Sequence, residues 1–170
     1  MANRIVLIGF MASGKTTLGK KLANKLAIPF IDSDTAIEEL VHSSVQQIFE
    51  TKGEDSFRKL ENDFIQNYNF PESFVLSTGG GMPCFYNNIF ILNKLGTTFY
   101  LERSEKELAN RLLQAKEKRP LVDGKSAEEL ESYIVEVMKN RKPFYEQSNF
   151  ILNRDQQTPE AIIELLQINS

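Results

Sequence analysis

A chain of 170 residues with 41% apolar and 25% charged side chains has the composition of one folded domain, which at this length buries about 70% of the surface its unfolded chain exposes. These proportions exclude a largely disordered or collagen-like chain, and no apolar run reaches the roughly 18 residues of a membrane-spanning helix. With 20 basic against 23 acidic residues, one Cys and one His, the sequence argues against nucleic-acid or membrane-surface binding, an internal disulfide and a zinc site, and fits a reducing cytoplasm.

Ile5 to Ile8 is a continuous β-branched and aliphatic run, the pattern of a strand buried on both faces in a parallel sheet, and it ends at Gly9. From Thr16 to Ala27, Leu18, Leu22 and Leu26 recur every fourth residue among lysines, which predicts an amphipathic helix stopped before Pro29. A second strand at Phe30 and Ile31 runs into Asp32-Ser33-Asp34. Helical spacing follows from Thr35 to Glu50, with a break near His42 to Ser44, and from Glu54 to Tyr68. Phe74 to Ser77 reads as a third strand leading into Thr78-Gly79-Gly80-Gly81, then a helix from Phe85 to Leu95 and a fourth strand from Thr97 to Leu101. A helix from Ser104 to Lys116 precedes a charged loop, Glu117 to Lys125, whose Pro and Gly suit a mobile segment. A helix from Ala127 to Asn140, a strand at Phe150 to Leu152 and a helix starting near Pro159 complete the order. Five strands separated by helices imply a three-layer α/β/α domain on a five-stranded parallel sheet, with ligands at the carboxyl ends of the strands.

Gly9-Phe10-Met11-Ala12-Ser13-Gly14-Lys15-Thr16 matches the phosphate-binding pattern G-x-x-x-x-G-K-[ST] between a buried strand and a helix, which implies a P-loop NTPase fold. The glycines let backbone N–H groups face one concavity at a helix N-terminus, Lys15 serves the β- and γ-phosphates, and the Thr16 hydroxyl suits Mg2+. Asp32 and Asp34 end a strand beside that loop, where alternation turns both the same way. One could hold Mg2+ through its waters while the other accepts from an attacking hydroxyl, or either could simply cap the next helix. Arg58 has Glu61 three residues on, an ordinary surface ion pair by spacing. Gly79, Gly80 and Gly81 form either a bare turn or a place of close backbone approach to a ligand. Arg119 stands where a closing loop could bring charge onto a phosphoryl group, though exposed loop arginines are common. Phe49 and Phe57 fall at core spacing.

These motifs, together with Phe49-Glu50 through Gly53-Glu54, Phe57-Arg58 to Glu61, Arg119-Pro120-Leu121 and Arg141 to Tyr145, follow an order and spacing that resembles the shikimate kinase family over nearly the whole chain. The resemblance implies a single kinase domain over 1–170, with substrate-binding helices at about 34–61 and a lid at about 113–125. It implies transfer of the ATP γ-phosphoryl to the 3-hydroxyl of shikimate, in aromatic amino-acid biosynthesis, by a cytoplasmic monomer. Catalytic roles would fall to Lys15, Asp34 and Arg119, and metal binding to Thr16 and Asp32. Nucleotide contacts would come from Gly9, Ala12, Ser13, Gly14, Lys15, Thr16, Thr17, Arg111, Arg119 and Gln157. Shikimate contacts would come from Asp34, Phe49, Phe57, Arg58, Gly79, Gly80, Gly81 and Arg141, the two arginines gripping its carboxylate. Position 12 departs from the family in carrying Ala where Gly is common, and Gln157 replaces a basic residue found in some relatives. The competing readings are a kinase of gluconate or of a nucleoside monophosphate, and a nucleotide-binding regulator without turnover.

Overall fold

The computed structural model describes residues 3–115 and 124–168. Its strands are β1 (Arg4–Ile8), β2 (Phe30–Asp32), β3 (Phe74–Ser77), β4 (Thr97–Leu101) and β5 (Phe150–Leu152), all parallel in the order β2-β3-β1-β4-β5. The helices are α1 (Lys15–Leu26), α2 (Ser33–Val41), α3 (Val45–Lys52), α4 (Glu54–Asn67), α5 (Asn88–Leu95), α6 (Glu105–Gln114), α7 (Ala127–Tyr145) and α8 (Pro159–Ile168). The expected α/β sheet is therefore the one observed.

Alternation along the strands divides the core in two. Val6, Ile8, Phe74, Leu76 and Tyr100 face a larger cluster that includes Ile37, Phe64, Leu92, Leu112 and Ile134 from the helices. Ile5, Leu7, Val75, Phe99 and Leu101 face a smaller one closed by Leu18 and Leu22 of α1 and Ile162 of α8. Both faces of the central strands are thus dry, which is why their sequences are continuous apolar runs rather than alternating ones.

Local chemistry sets the boundaries. The break expected near His42 is real: His42 closes α2 with a left-handed backbone (φ 52°), and Ser44 opens α3 with a reciprocal capping box to Gln47. Two elements differ from expectation. The helix expected from Phe85 begins only at Asn88, after a short 3₁₀ turn over Met82–Cys84 and two left-handed residues, Tyr86 and Asn87. The one expected to stop near Asn140 continues to Tyr145 through Pro143, because Met138 and Tyr145 are buried and anchor its last turns in the core.

β1 sits centrally, paired with β3 on one side and β4 on the other. The chain leaves β1 for β2 and β3 on one side and then crosses to β4 on the other, so the reversal point opens beside the loop after β1.

Candidate active site

At that reversal point lies a cleft of about 460 Å3 lined by residues of the 9–17 loop and helix start, by Asp32 and Asp34, by Ser77 to Gly80, and by Arg111. The 9–14 loop turns on glycine: Gly9 has φ 153° and Gly14 φ 104°, conformations that side chains oppose. Ala12 also lies in the left-handed region, at φ 62°, a strain of about 1 kcal/mol for an L-residue, which gives Gly a conformational advantage there. The buried Lys15 Nζ donates to the carbonyls of Gly9 (2.8 Å) and Phe10 (2.9 Å), so the ammonium is held at the mouth of its own loop. Ser13 is buried, and its Oγ has no hydrogen-bond partner among the described residues. Thr16 and Thr17 line the cleft.

Asp32 and Asp34 both reach the cleft, but not by strand alternation. β2 ends at Asp32, and Asp34 stands in the first turn of α2. Asp32 does two things at once: Oδ1 caps α2 by accepting from the N–H groups of Asp34 and Thr35, while Oδ2 accepts from Thr16 Oγ1 at 3.3 Å. Asp34 is different. Its Oδ1 is buried with no donor among the described residues, and burial, reinforced by the charges of Asp32 and Glu38 against Lys15 and Arg58, raises its pKa above the ordinary carboxylate value.

The triple glycine makes room for side chains of the protein itself. A methyl at Gly79 would lie 2.7 Å from Asp34 Oδ1 and 3.0 Å from Glu61 Oε1; at Gly80, 3.4 Å from Arg141 Nη1; at Gly81, 2.3 Å from Arg58 Nη1. Two acids and two arginines therefore converge on three consecutive Cα atoms. Arg58 is buried rather than a surface residue: Nη1 donates to Glu61 Oε2 at 2.7 Å, and Nε and Nη2 donate to Glu54 Oε1 at 3.1 and 2.8 Å. Glu61 has no exposed surface, its Oε1 finds no donor among the described residues, and burial outweighs the neighbouring Arg58 to lift its pKa to about 7. The Arg141 guanidinium lies 5.6 Å from the Phe10 ring centre. Phe57 is buried as core spacing predicts, while Phe49 is half-exposed with its ring 5.1 Å from that of Phe57.

Toward β4 and α8 the cleft continues into a second space of about 410 Å3 lined by Ser13, Gly14, Thr17, Arg103, Arg111, Gln157 and Pro159 among others. Arg111 borders both spaces. The Gln157 amide is fixed by its Nε2, which donates to the carbonyls of Glu102 (2.8 Å) and Leu152 (3.0 Å), leaving a buried Oε1 with no donor among the described residues.

The family model described as shikimate kinase matches residues 11–168. The chain belongs to the shikimate kinase family. It is 46% identical to a shikimate kinase of Bacteroides fragilis over 161 residues, 95% of this chain and 90% of that protein. A crystal structure of shikimate kinase from Bacteroides thetaiotaomicron superposes with a TM-score of 0.86 at 42% identity, covering 98% of this chain and 97% of that one. Shikimate kinase from Acinetobacter baumannii, solved in complex with shikimate, gives a TM-score of 0.86 at 30% identity over 100% of this chain and 96% of that one.

In this shikimate kinase-family chain, Arg119 and most of the expected lid, residues 116–123, lie outside the described residues. Four residues shape the cleft without having been singled out for it by sequence. Ser33 is buried and its Oγ accepts from Gly79 N at 2.8 Å, tying the glycines to α2. Tyr145 donates its hydroxyl to Gly80 O at 2.5 Å. Arg103 Nε donates to Ser13 O at 2.8 Å and pairs with Glu107, bracing the phosphate loop from outside. Glu61, read as a mere partner of Arg58, also faces Asp34. Of these contacts only Arg58 with Glu61 and Arg103 with Glu107 are close in sequence, whereas the bonds to Gly79, Gly80 and Ser13 join segments distant in the chain.

Proposed function

We propose that the chain transfers the γ-phosphoryl group of ATP to the 3-hydroxyl of shikimate, giving shikimate 3-phosphate and ADP in the route to chorismate and the aromatic amino acids. One observation carries the choice of acceptor. Beside the phosphate loop, buried oxygens of Asp34 and Glu61 that lack donors among the described residues meet the Arg58 and Arg141 guanidinium groups at the triple glycine. Such a corner suits a small acid with several hydroxyls: hydroxyl groups supply the missing donors, and guanidinium groups accept the carboxylate in their planar fork.

In this reading the backbone N–H groups from Gly9 to Thr16 and the Lys15 ammonium hold the phosphates. Asp34 orients the attacking hydroxyl, whose oxygen bonds to the γ-phosphorus as the bond to the β-γ bridging oxygen breaks and ADP leaves. The hydroxyl proton passes to the Asp34 carboxylate, whose raised pKa brings it closer to the pH at which a general base works best. Arg58 and Arg141 fix the carboxylate, Phe49 and Phe57 flank the ring, and Arg111 with Gln157 border the nucleotide. Arg119, read from the sequence, neutralises the transferring phosphoryl group.

Mg2+ fits Thr16 and Asp32. The Thr16 hydroxyl and the Asp32 Oδ2 meet at 3.3 Å, a sparse donor pair that suits a cation retaining its waters and taking phosphate oxygens. Bound with ATP, Mg2+ supplies charge neutralisation at the β- and γ-phosphates. We take 1–170 as one kinase domain, active as a monomer in the cytoplasm. A sheet covered on both faces and the unpaired Cys84 support that reading, and no described helix is long and apolar enough to cross a membrane.

The test is ADP release from Mg2+-ATP with shikimate, with gluconate, nucleoside monophosphates and no acceptor run alongside. Release with shikimate alone is expected. Release with another acceptor would overturn the substrate, and none with any acceptor, despite ATP binding, would point to the regulator.

A further inference from the structure

We propose that Phe85 is a positioning residue of the acceptor site, acting through Arg58; the inference rests on the reading of Arg58 as the arginine that takes the acceptor's carboxylate. The Arg58 guanidinium is held along its edges by Glu54 and Glu61. Three aromatic rings surround it, with the guanidinium carbon 5.9 Å from the Phe49 ring centre, 5.6 Å from that of Phe57 and 4.6 Å from that of Phe85. Phe85 is thus the closest of the three. A cation near an aromatic face is attracted by the ring quadrupole, most strongly where water is excluded, and Arg58 is only 6% exposed.

Neither helical periodicity nor core packing explains this placement. Phe85 is 36% exposed and lies just beyond the 3₁₀ turn that follows the triple glycine. The next two residues, Tyr86 and Asn87, are both left-handed, at φ 50° and 59°. Asn tolerates that region, but a bulky aromatic residue there is an outlier that persists only where its surroundings enforce it. The enforcement is visible in Asn88. This fully buried residue donates its backbone N–H to Phe85 O at 2.8 Å and its Nδ2 to Met82 O at 2.9 Å, while its Oδ1 accepts from Asn62 Nδ2 at 2.7 Å. Asn62 lies one turn after Arg58 on α4. The 82–88 segment is therefore fastened to the helix that bears Arg58, and the fastening sets the Phe85 ring against the guanidinium. With two of its five N–H groups uncommitted, Arg58 is held in one orientation by carboxylates at its edges and an aromatic ring close by.

The experiment separates the ring's electrostatic face from its bulk. Phe85→Leu keeps an apolar side chain and removes the aromatic face, whereas Phe85→Tyr keeps both. For Phe85→Leu we expect the KM for shikimate to rise about three- to tenfold, with the KM for ATP, kcat and Tm near their parent values, and Phe85→Tyr to restore the parent KM. In an Arg58→Lys background the Leu substitution should change the KM less than about twofold, because the planar guanidinium it supports is gone. A parent-like shikimate KM in Phe85→Leu, or an equal rise for ATP, would overturn the proposal. The Arg58 Nε–H resonance of the 15N-labelled protein without substrates reads the contact independently of any acceptor. It should move in Phe85→Leu, and an unmoved resonance would overturn the proposal. A wild-type protein that ignored shikimate would fail the functional reading alone, leaving this resonance to decide the Phe85 contact.

Discussion

The two halves of the cleft are built on different principles. On the proposed reading the phosphate side is a single stretch, Gly9 to Thr16, whose working groups would be mainly backbone N–H donors shaped by two glycines with positive φ. The proposed acceptor side is assembled from side chains of α2, α4 and α7 brought against three glycines, with Ser33 and Tyr145 tying the glycine backbone down. A backbone cradle depends less on side-chain identity, whereas a side-chain cradle is sensitive to single atoms. The difference predicts that damage on the acceptor side separates the two substrates, and that damage on the phosphate side reaches both.

Asp34→Asn should give the largest effect, a fall in kcat of about 10²- to 10⁴-fold, because it removes the proton acceptor while keeping the shape. Nearly full kcat in a shikimate-dependent ADP assay would remove Asp34 from that role. Gly81→Ala comes next. Its methyl would meet the Arg58 guanidinium at 2.3 Å, so the KM for shikimate should rise about 10- to 100-fold, as for loss of a charged hydrogen bond, with little change for ATP. Parallel rises in both KM values would mean that the glycines serve the whole cleft.

Stability against pH sharpens the contrast within the acceptor side. Glu61 is lifted to about 7 from 4.5 and Asp34 is raised in the same direction, so the folded state holds protons that the unfolded chain has released. That contribution is fully present below the ordinary carboxylate value and is lost as pH rises through about 7, by up to about 3 kcal/mol for Glu61. Glu61→Gln should flatten the decline between about pH 5 and 7 in thermal melts; an unchanged slope would assign the decline elsewhere. The smallest effect belongs to Arg103→Ala. Loss of its 2.8 Å bond to Ser13 O should raise the KM for ATP about three- to fivefold and leave shikimate nearly untouched, and a selective shikimate effect would break the division between the two sides.

The phosphate side was legible because its chemistry is local: a strand, two glycines, a lysine and a hydroxyl at fixed spacing define it without reference to the rest of the chain. The five-stranded parallel sheet was equally accessible, since continuous apolar runs separated by helical spacing point to crossover connections, whereas the strand order β2-β3-β1-β4-β5 came only from the structure. Resemblance to a family supplied the proposed roles of Arg58 and Arg141; spacing alone read Arg58 as half of a surface ion pair. The two aspartates were read correctly as neighbours, though for the wrong geometric reason, because Asp32 caps the very helix that carries Asp34.

Tertiary structure decided what the triple glycine is for. Sequence offers it as a bare turn or a site of close backbone approach, and only packing reveals that Asp34, Glu61, Arg141 and Arg58 occupy the space its missing side chains leave. It also decided that Glu61 is buried with an acceptor to spare and that Phe85 lies against Arg58. The physical reason is the same in each case. Local pattern fixes which face of an element is apolar and where it begins, whereas burial, desolvation and the meeting of charges depend on segments far apart in the chain and exist only once the sheet has brought them together.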